Sequence, residues 1–191
     1  MKIAGLQKLS LIDYPQIPAA IIFTQGCNMK CPYCHNRQLV YPNLFENLLN
    51  EEEIFKFLKK RTGLLKGVVI TGGEPTIQKD LVEFILKIKN LGFLVKLDTN
   101  GTNPNVLQEL ISKKLIDFIA MDIKADFTKY STFFNGDLNL IKLSIHIIKF
   151  SGIRHLFRTT YDRDILQDKD LLNIKNFIDQ SNYIVQECNK T

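Results

Sequence analysis

The chain contains no run of about 18 consecutive apolar residues, the length a membrane-spanning helix needs. Its opening, MKIAGLQKLSLIDYP, has neither a sustained apolar stretch nor a small-residue cleavage site, so no secretory signal is expected. Charge of one sign is never concentrated. The longest like-charge runs, Glu51–Glu53 and Lys59–Arg61, are three residues each, and the formal net charge of +5 is scattered. A nucleic-acid-binding protein more often carries a basic stripe or tail. Neither nucleic acid nor membrane is therefore expected as a partner, and the positive excess suggests at most an acidic partner or an anionic substrate. Tryptophan is absent, which bears on packing alone. Cysteine is too sparse and uneven for a secreted disulfide framework: three of the four lie between positions 27 and 34, and Cys188 stands near the end. A reducing, cytoplasmic setting follows.

What is present is an ordinary globular composition, 45% hydrophobic and 24% charged over 191 residues. Length and the lack of any linker or low-complexity segment read as one domain over 1–191. Short, largely apolar runs rich in β-branched residues predict strands at Ala19–Thr24, Gly67–Thr71, Phe93–Asp98, Asp117–Asp122, His155–Thr160 and Tyr183–Gln186. Apolar throughout rather than alternating, they suit a parallel sheet covered on its faces. Helices are predicted between them at Glu51–Arg61, Lys79–Leu91, Asn105–Lys114, Leu138–Phe150 and Asp168–Gln180. Strand and helix alternate as right-handed βαβ units, about six in number, which fits either an open partial barrel or a doubly wound sheet.

The unusual residues fall at one end of those strands. CNMKCPYCHN follows the first strand, GGEP the second and TNG the third; Lys124 lies just past the fourth, and Arg158 falls late in the fifth. In parallel α/β folds, chemistry gathers at the carboxyl ends of strands. Cys27, Cys31 and Cys34 have spacing C-x₃-C-x₂-C, and their thiolates suit zinc or an iron–sulfur cluster. A structural zinc site takes four ligands, whereas only three are close here. His35 adjoins Cys34, which places it poorly for the same ion. Three thiolates on a four-iron cluster would leave one iron open. Unliganded thiols are the blander alternative, and Cys188 reads as a free or buried thiol.

The other motifs also admit bland readings. Gly72-Gly73-Glu74-Pro75 is either a tight turn with a solvated glutamate or a close backbone approach to a ligand, with Glu74 accepting from a cationic group. Asp98-Thr99-Asn100-Gly101 is a turn signal in which Asp98 could merely cap the following loop. Lys124 could be a surface lysine, and Tyr33 a partly buried loop aromatic. Arg158, internal to a strand, calls for an anion. His146 lies among apolar residues at helical spacing and reads as structural.

C-x₃-C-x₂-C after a first strand, with the aromatic Tyr33 before its last cysteine, resembles the signature of the radical S-adenosylmethionine (SAM) superfamily. The longer stretch GLQKLSLIDYP…IIFTQGCNMKCPYCHN resembles the activating enzymes of glycyl-radical enzymes, above all those of anaerobic ribonucleoside-triphosphate reductase, and the later motifs keep the expected order. The resemblance implies a partial open (β/α)₆ barrel with mostly parallel strands and a [4Fe–4S] cluster on Cys27, Cys31 and Cys34. It implies SAM bound at the open iron and cleaved reductively to methionine and a 5′-deoxyadenosyl radical. It places Tyr33 beside the adenine, Gly72, Gly73 and Glu74 at the methionine amino group, and Lys124 at the carboxylate, with Arg158 at that carboxylate or the ribose. It sets Asp98, Thr99 and Asp122 near SAM, where a monovalent cation can also bind. The implied partners are a glycyl-radical enzyme, foremost anaerobic ribonucleotide reductase, and a reduced donor such as flavodoxin or ferredoxin. A small-molecule enzyme such as 7-carboxy-7-deazaguanine synthase is the runner-up, and a zinc or redox-sensing module the non-enzyme alternative. Two departures stand out. Gln16 follows Asp-Tyr-Pro where the family commonly has glycine, and Tyr161-Asp162-Arg163-Asp164 replaces a histidine-containing loop.

Overall fold

A computed structural model describes residues 1–179 and 181–188; the expected end of the last helix at Gln180 lies outside them. Seven strands form one sheet in chain order: β1 (Ile3–Ser10), β2 (Ala19–Thr24), β3 (Gly67–Gly72), β4 (Leu94–Thr99), β5 (Phe118–Asp122), β6 (Arg154–Tyr161) and β7 (Tyr183–Glu187). β2 to β7 are the six expected strands, and each neighbouring pair is parallel. β1 is an addition that runs antiparallel to β2, with register breaks after Ile3 and after Gln7. Its sequence IAGLQKLS is half exposed and shows no clean alternation, so its place is set by hydrogen bonding to β2 rather than by apolar pattern.

The helices are α1 (Arg37–Val40), α2 (Glu51–Arg61), α3 (Leu81–Asn90), α4 (Pro104–Ser112), α5 (Leu138–Phe150) and α6 (Asp168–Ile178). Asn50 starts α2 by accepting the Glu52 N–H on its side chain at 2.8 Å, and Pro104 sits in the first turn of α4, where its missing N–H is harmless. α2 to α6 all send buried residues, among them Leu58, Ile85, Leu107, Ile145 and Ile174, into one cluster with Ile22, Ile70, Leu97, Ile119 and Phe157 of the sheet. Each such side chain stabilises the fold by about 1.5–3 kcal/mol. Helices packed into a single cluster on one face make the architecture an open partial barrel and set aside the doubly wound alternative.

The opposite face is apolar at its amino end and polar at its carboxyl end. Tyr14, Ala19, Ile21, Val69, Phe118 and Ala120 form a second, smaller cluster there, with the Tyr14 and Phe118 rings 6.0 Å apart. Tyr14 is delivered by a tight turn in which Ile17 N–H donates to Tyr14 O at 3.0 Å and Gln16 adopts φ 64°. That is the position where a left-handed residue is required, which explains why glycine suits it. Gln16 accepts the strain, and the turn forms regardless.

Candidate functional site

The twelve residues that the resemblance sets at the cluster and SAM line one cavity of about 220 Å³ at the carboxyl ends of the parallel strands. Cys27, Cys31, Tyr33 and Cys34 come from the loop after β2, and Gly72, Gly73 and Glu74 from the end of β3. Asp98 and Thr99 end β4, Asp122 and Lys124 follow from β5, and Arg158 lies on β6. Cys188 is not among the lining residues, nor is His146, which is exposed on α5 beside Phe150.

The three thiols are half-buried and unbridged. Among the described residues, no three His, Cys, Asp or Glu side chains converge closely enough to hold a single metal ion. Three thiolates suit a cluster, which offers a separate iron to each, and would leave a single structural zinc one short of its usual four ligands. Burial pushes the Cys27 thiol up to about 11, with Met29 N–H, 3.4 Å from its Sγ, pulling the other way. Burial also raises Cys31, against the nearby Lys124 charge. Both thiols are therefore neutral in the protein alone, and a ligand must bring positive charge to displace their protons. Iron does so.

The glycines of GGEP serve the chain itself. A Cβ on Gly72 would lie 2.3 Å from Thr24 N, and one on Gly73 would lie 1.9 Å from Gly26 O. Only glycine lets the end of β3 press so closely against the start of the cysteine loop. Two backbone hydrogen bonds fasten the contact, Gly73 N–H to Thr24 O at 2.9 Å and Glu74 N–H to Gly26 O at 2.8 Å.

Glu74 is buried, and both its oxygens are engaged from inside the protein. Oε1 accepts from Thr76 N at 3.0 Å, from the Thr76 hydroxyl and from the Thr99 hydroxyl at 2.8 Å, while Oε2 accepts from Asn100 N at 2.6 Å. Burial raises its carboxyl, and these donors oppose the rise without cancelling it. The carboxyl thus ties the β3 turn to the β4 turn. Beside it, Asn100 Nδ2 donates to Asn28 Oδ1 at 2.9 Å, and Asn28 Nδ2 donates to Thr102 Oγ1 at 2.8 Å, which joins the cysteine loop to the same turn. On its other flank, Lys30 N–H donates to Phe133 O at 3.2 Å, and the Tyr33 and Phe133 rings lie 5.6 Å apart. Sequence reasoning did not find Asn28 or Thr102, because their partners are distant in sequence.

Across the cavity, charge is concentrated on the sheet face. Arg158 Nε donates to Asp122 Oδ1 at 2.7 Å, and its two terminal nitrogens lie 3.3 Å from Asp98 Oδ2. Lys124 Nζ donates to Asp122 Oδ2 at 2.9 Å, and Lys96 Nζ donates to Asp98 Oδ1. Burial alone would raise Asp122, but Lys124 and Arg158 override it and hold the carboxyl well below the usual range. Lys96 was also missed. Its signal was legible: a lysine in an otherwise apolar strand, two residues before an aspartate and so on the same face, needs that partner.

A family model described as the Radical SAM superfamily matches residues 21–172. Among curated proteins, the chain is 47% identical over 132 residues to one of Methanocaldococcus jannaschii named as a glycyl-radical enzyme activating enzyme, covering 69% of this chain and 53% of that one. It is 32% identical to a pyruvate formate-lyase-activating enzyme of Clostridium pasteurianum (64% and 52% covered) and 28% identical to a 7-carboxy-7-deazaguanine synthase of Thermococcus kodakarensis (68% and 58%). The chain thus spans little more than half the length of these relatives. Among solved structures, TYW1 with a lysine–pyruvate adduct bound matches with a TM-score of 0.67 over 92% of this chain and 67% of that one. At 20% identity, that likeness concerns the fold alone.

Proposed function

Because the chain belongs to the Radical SAM superfamily, we propose that it activates a glycyl-radical enzyme, abstracting hydrogen from a backbone glycine of that partner. Membership implies a [4Fe–4S] cluster and SAM, and the three thiols and the polar groups that line the same cavity suit both. When bound, the cluster supplies the electron that breaks a C–S bond of SAM. The polypeptide's part is position and electrostatics. Cys27, Cys31 and Cys34 hold the cluster, and the ring of Tyr33 flanks the adenine. The strand end at Gly72 and Gly73, steadied by Glu74, meets the methionine amino group. Lys124 and Arg158 receive the carboxylate on a face where three cations already outnumber two carboxylates.

The single observation that carries the activase reading is the 47% identity to the M. jannaschii protein. The edges of the sheet add to it: β1 and β7 stand at opposite ends of the strand order, so the barrel stays open to a protein loop. The partner we favour is an anaerobic ribonucleotide reductase, with reduced flavodoxin or ferredoxin as electron donor. The test mixes cluster-loaded, reduced protein with SAM and that reductase under anaerobic conditions and records the electron paramagnetic resonance spectrum. A doublet that collapses when the partner's glycine is deuterated at Cα is expected. Turnover of a purine precursor with no protein radical would replace this reading with that of a small-molecule enzyme.

A further inference from the structure

Asp98 and Asp122 end the adjacent strands β4 and β5 on the same face of the sheet, an arrangement that invites a monovalent cation between them. Their four carboxylate oxygens are nevertheless all taken by cations of the chain itself. Lys96 Nζ holds Asp98 Oδ1, and Arg158 reaches Asp98 Oδ2 at 3.3 Å and Asp122 Oδ1 at 2.7 Å. Lys124 holds Asp122 Oδ2 at 2.9 Å. Thr99, the third oxygen such a cation would use, turns elsewhere: its hydroxyl donates to Glu74 and accepts Gly101 N–H at 3.1 Å. Three cations against two carboxylates leave an excess of one positive charge, which the SAM carboxylate would balance and an added metal ion would restore. The like-charge repulsion would fall in a half-buried site, where screening by salt is weak.

We propose that Lys96, a residue of β4 with its amine almost fully buried, is the built-in replacement for a monovalent cation, so that this site works without sodium or potassium. A buried lysine in the middle of a sheet face is otherwise costly, and Asp98 is the partner its ammonium reaches. Lys96 acts through Asp98 and is a positioning residue. The inference rests on the SAM-binding reading of the cavity but on no particular protein partner.

The test compares potassium, sodium and tetramethylammonium chloride at equal ionic strength, reading thermal unfolding of the protein and equilibrium SAM binding by the cluster-loaded form. The wild-type protein is expected to show the same unfolding midpoint and the same affinity in all three salts. Lys96→Met, which keeps the length and removes the charge, is expected to become selective, binding SAM about tenfold more weakly in tetramethylammonium than in potassium, the scale of one lost charge-assisted hydrogen bond. Its unfolding midpoint should differ between those salts by about 3 °C. Lys96→Arg should remain indifferent. A saturable gain of wild-type stability or affinity with potassium or sodium would overturn the proposal, and so would a folded Lys96→Met that ignores the cation. If Lys96→Met fails to fold, the wild-type and Lys96→Arg comparisons still decide. Loss of SAM binding in every salt would sink the cofactor reading on which the proposal rests, whereas cation-selective unfolding of the wild type would sink the proposal alone.

Discussion

Removing the Glu74 carboxyl should damage the scaffold before it damages any ligand contact. In Glu74→Ala, the backbone N–H groups of Thr76 and Asn100 lose their acceptor inside the protein, whereas the Thr76 and Thr99 hydroxyls can rotate. Each stranded N–H costs about 1–3 kcal/mol, or about 2–6 kcal/mol for the pair. No longer burying a carboxyl whose charged form is disfavoured returns part of that, so a net loss of about 2–4 kcal/mol is expected. In a chain of this size that lowers the unfolding midpoint by about 5–15 °C. Glu74→Gln keeps one oxygen and turns an amide toward a donor on the other side, so it should lose roughly half as much. The pH dependence has a definite sign. Burial raises the folded-state carboxyl above its unfolded value, so proton binding favours the fold. Glu74's contribution is full below about pH 4.3 and falls as pH rises through the raised folded value. Wild-type stability relative to Glu74→Gln should therefore decline over that window. Chemical denaturation of both variants across pH is the assay. A Glu74→Ala protein within about 0.5 kcal/mol of wild type would refute the brace and return Glu74 to a purely ligand-binding role.

Two further outcomes are expected. Anaerobic reconstitution should load about four irons per chain; Cys27→Ala, Cys31→Ala and Cys34→Ala should each abolish the cluster absorbance, while Cys188→Ala retains it, and tight binding of one zinc with no cluster would contradict the site. Gln16→Gly should stabilise the protein by about 0.5–1 kcal/mol, because it relieves a side chain held at φ 64° and gives back only part of that as unfolded-chain entropy; a destabilised variant in calorimetry would mean the turn is otherwise held.

The parallel strands were legible because AAIIFT, GVVIT and DFIAMD are apolar on both faces, as a covered sheet demands. β1 was not, since IAGLQKLS is ordered by its partner rather than by its pattern, and α1, with four residues, is too short to show a period. The site was legible in its membership: parallel strands deliver their ends to one rim, so motifs separated by up to 131 positions, from Cys27 to Arg158, meet in one cavity. Its internal wiring was less so. Gly72 and Gly73 read as room for a ligand, yet they also make room for the loop at Thr24 and Gly26. Glu74 read as a ligand group, yet four donors of the protein already reach it. Those contacts join residues distant in sequence, and no local pattern announces them.

The cysteine loop is pinned by Gly26, Asn28, Lys30 and Tyr33, and every one of those ties is made by polypeptide. In small zinc modules the metal provides the folding energy, and stripping it unravels the chain. Here these ties act beside whatever the thiols hold. Chelating the iron should therefore cost the protein its colour while leaving its secondary structure in place, which circular dichroism before and after chelation would check, and a collapse of the helical signal would mean that the loop leans on its metal.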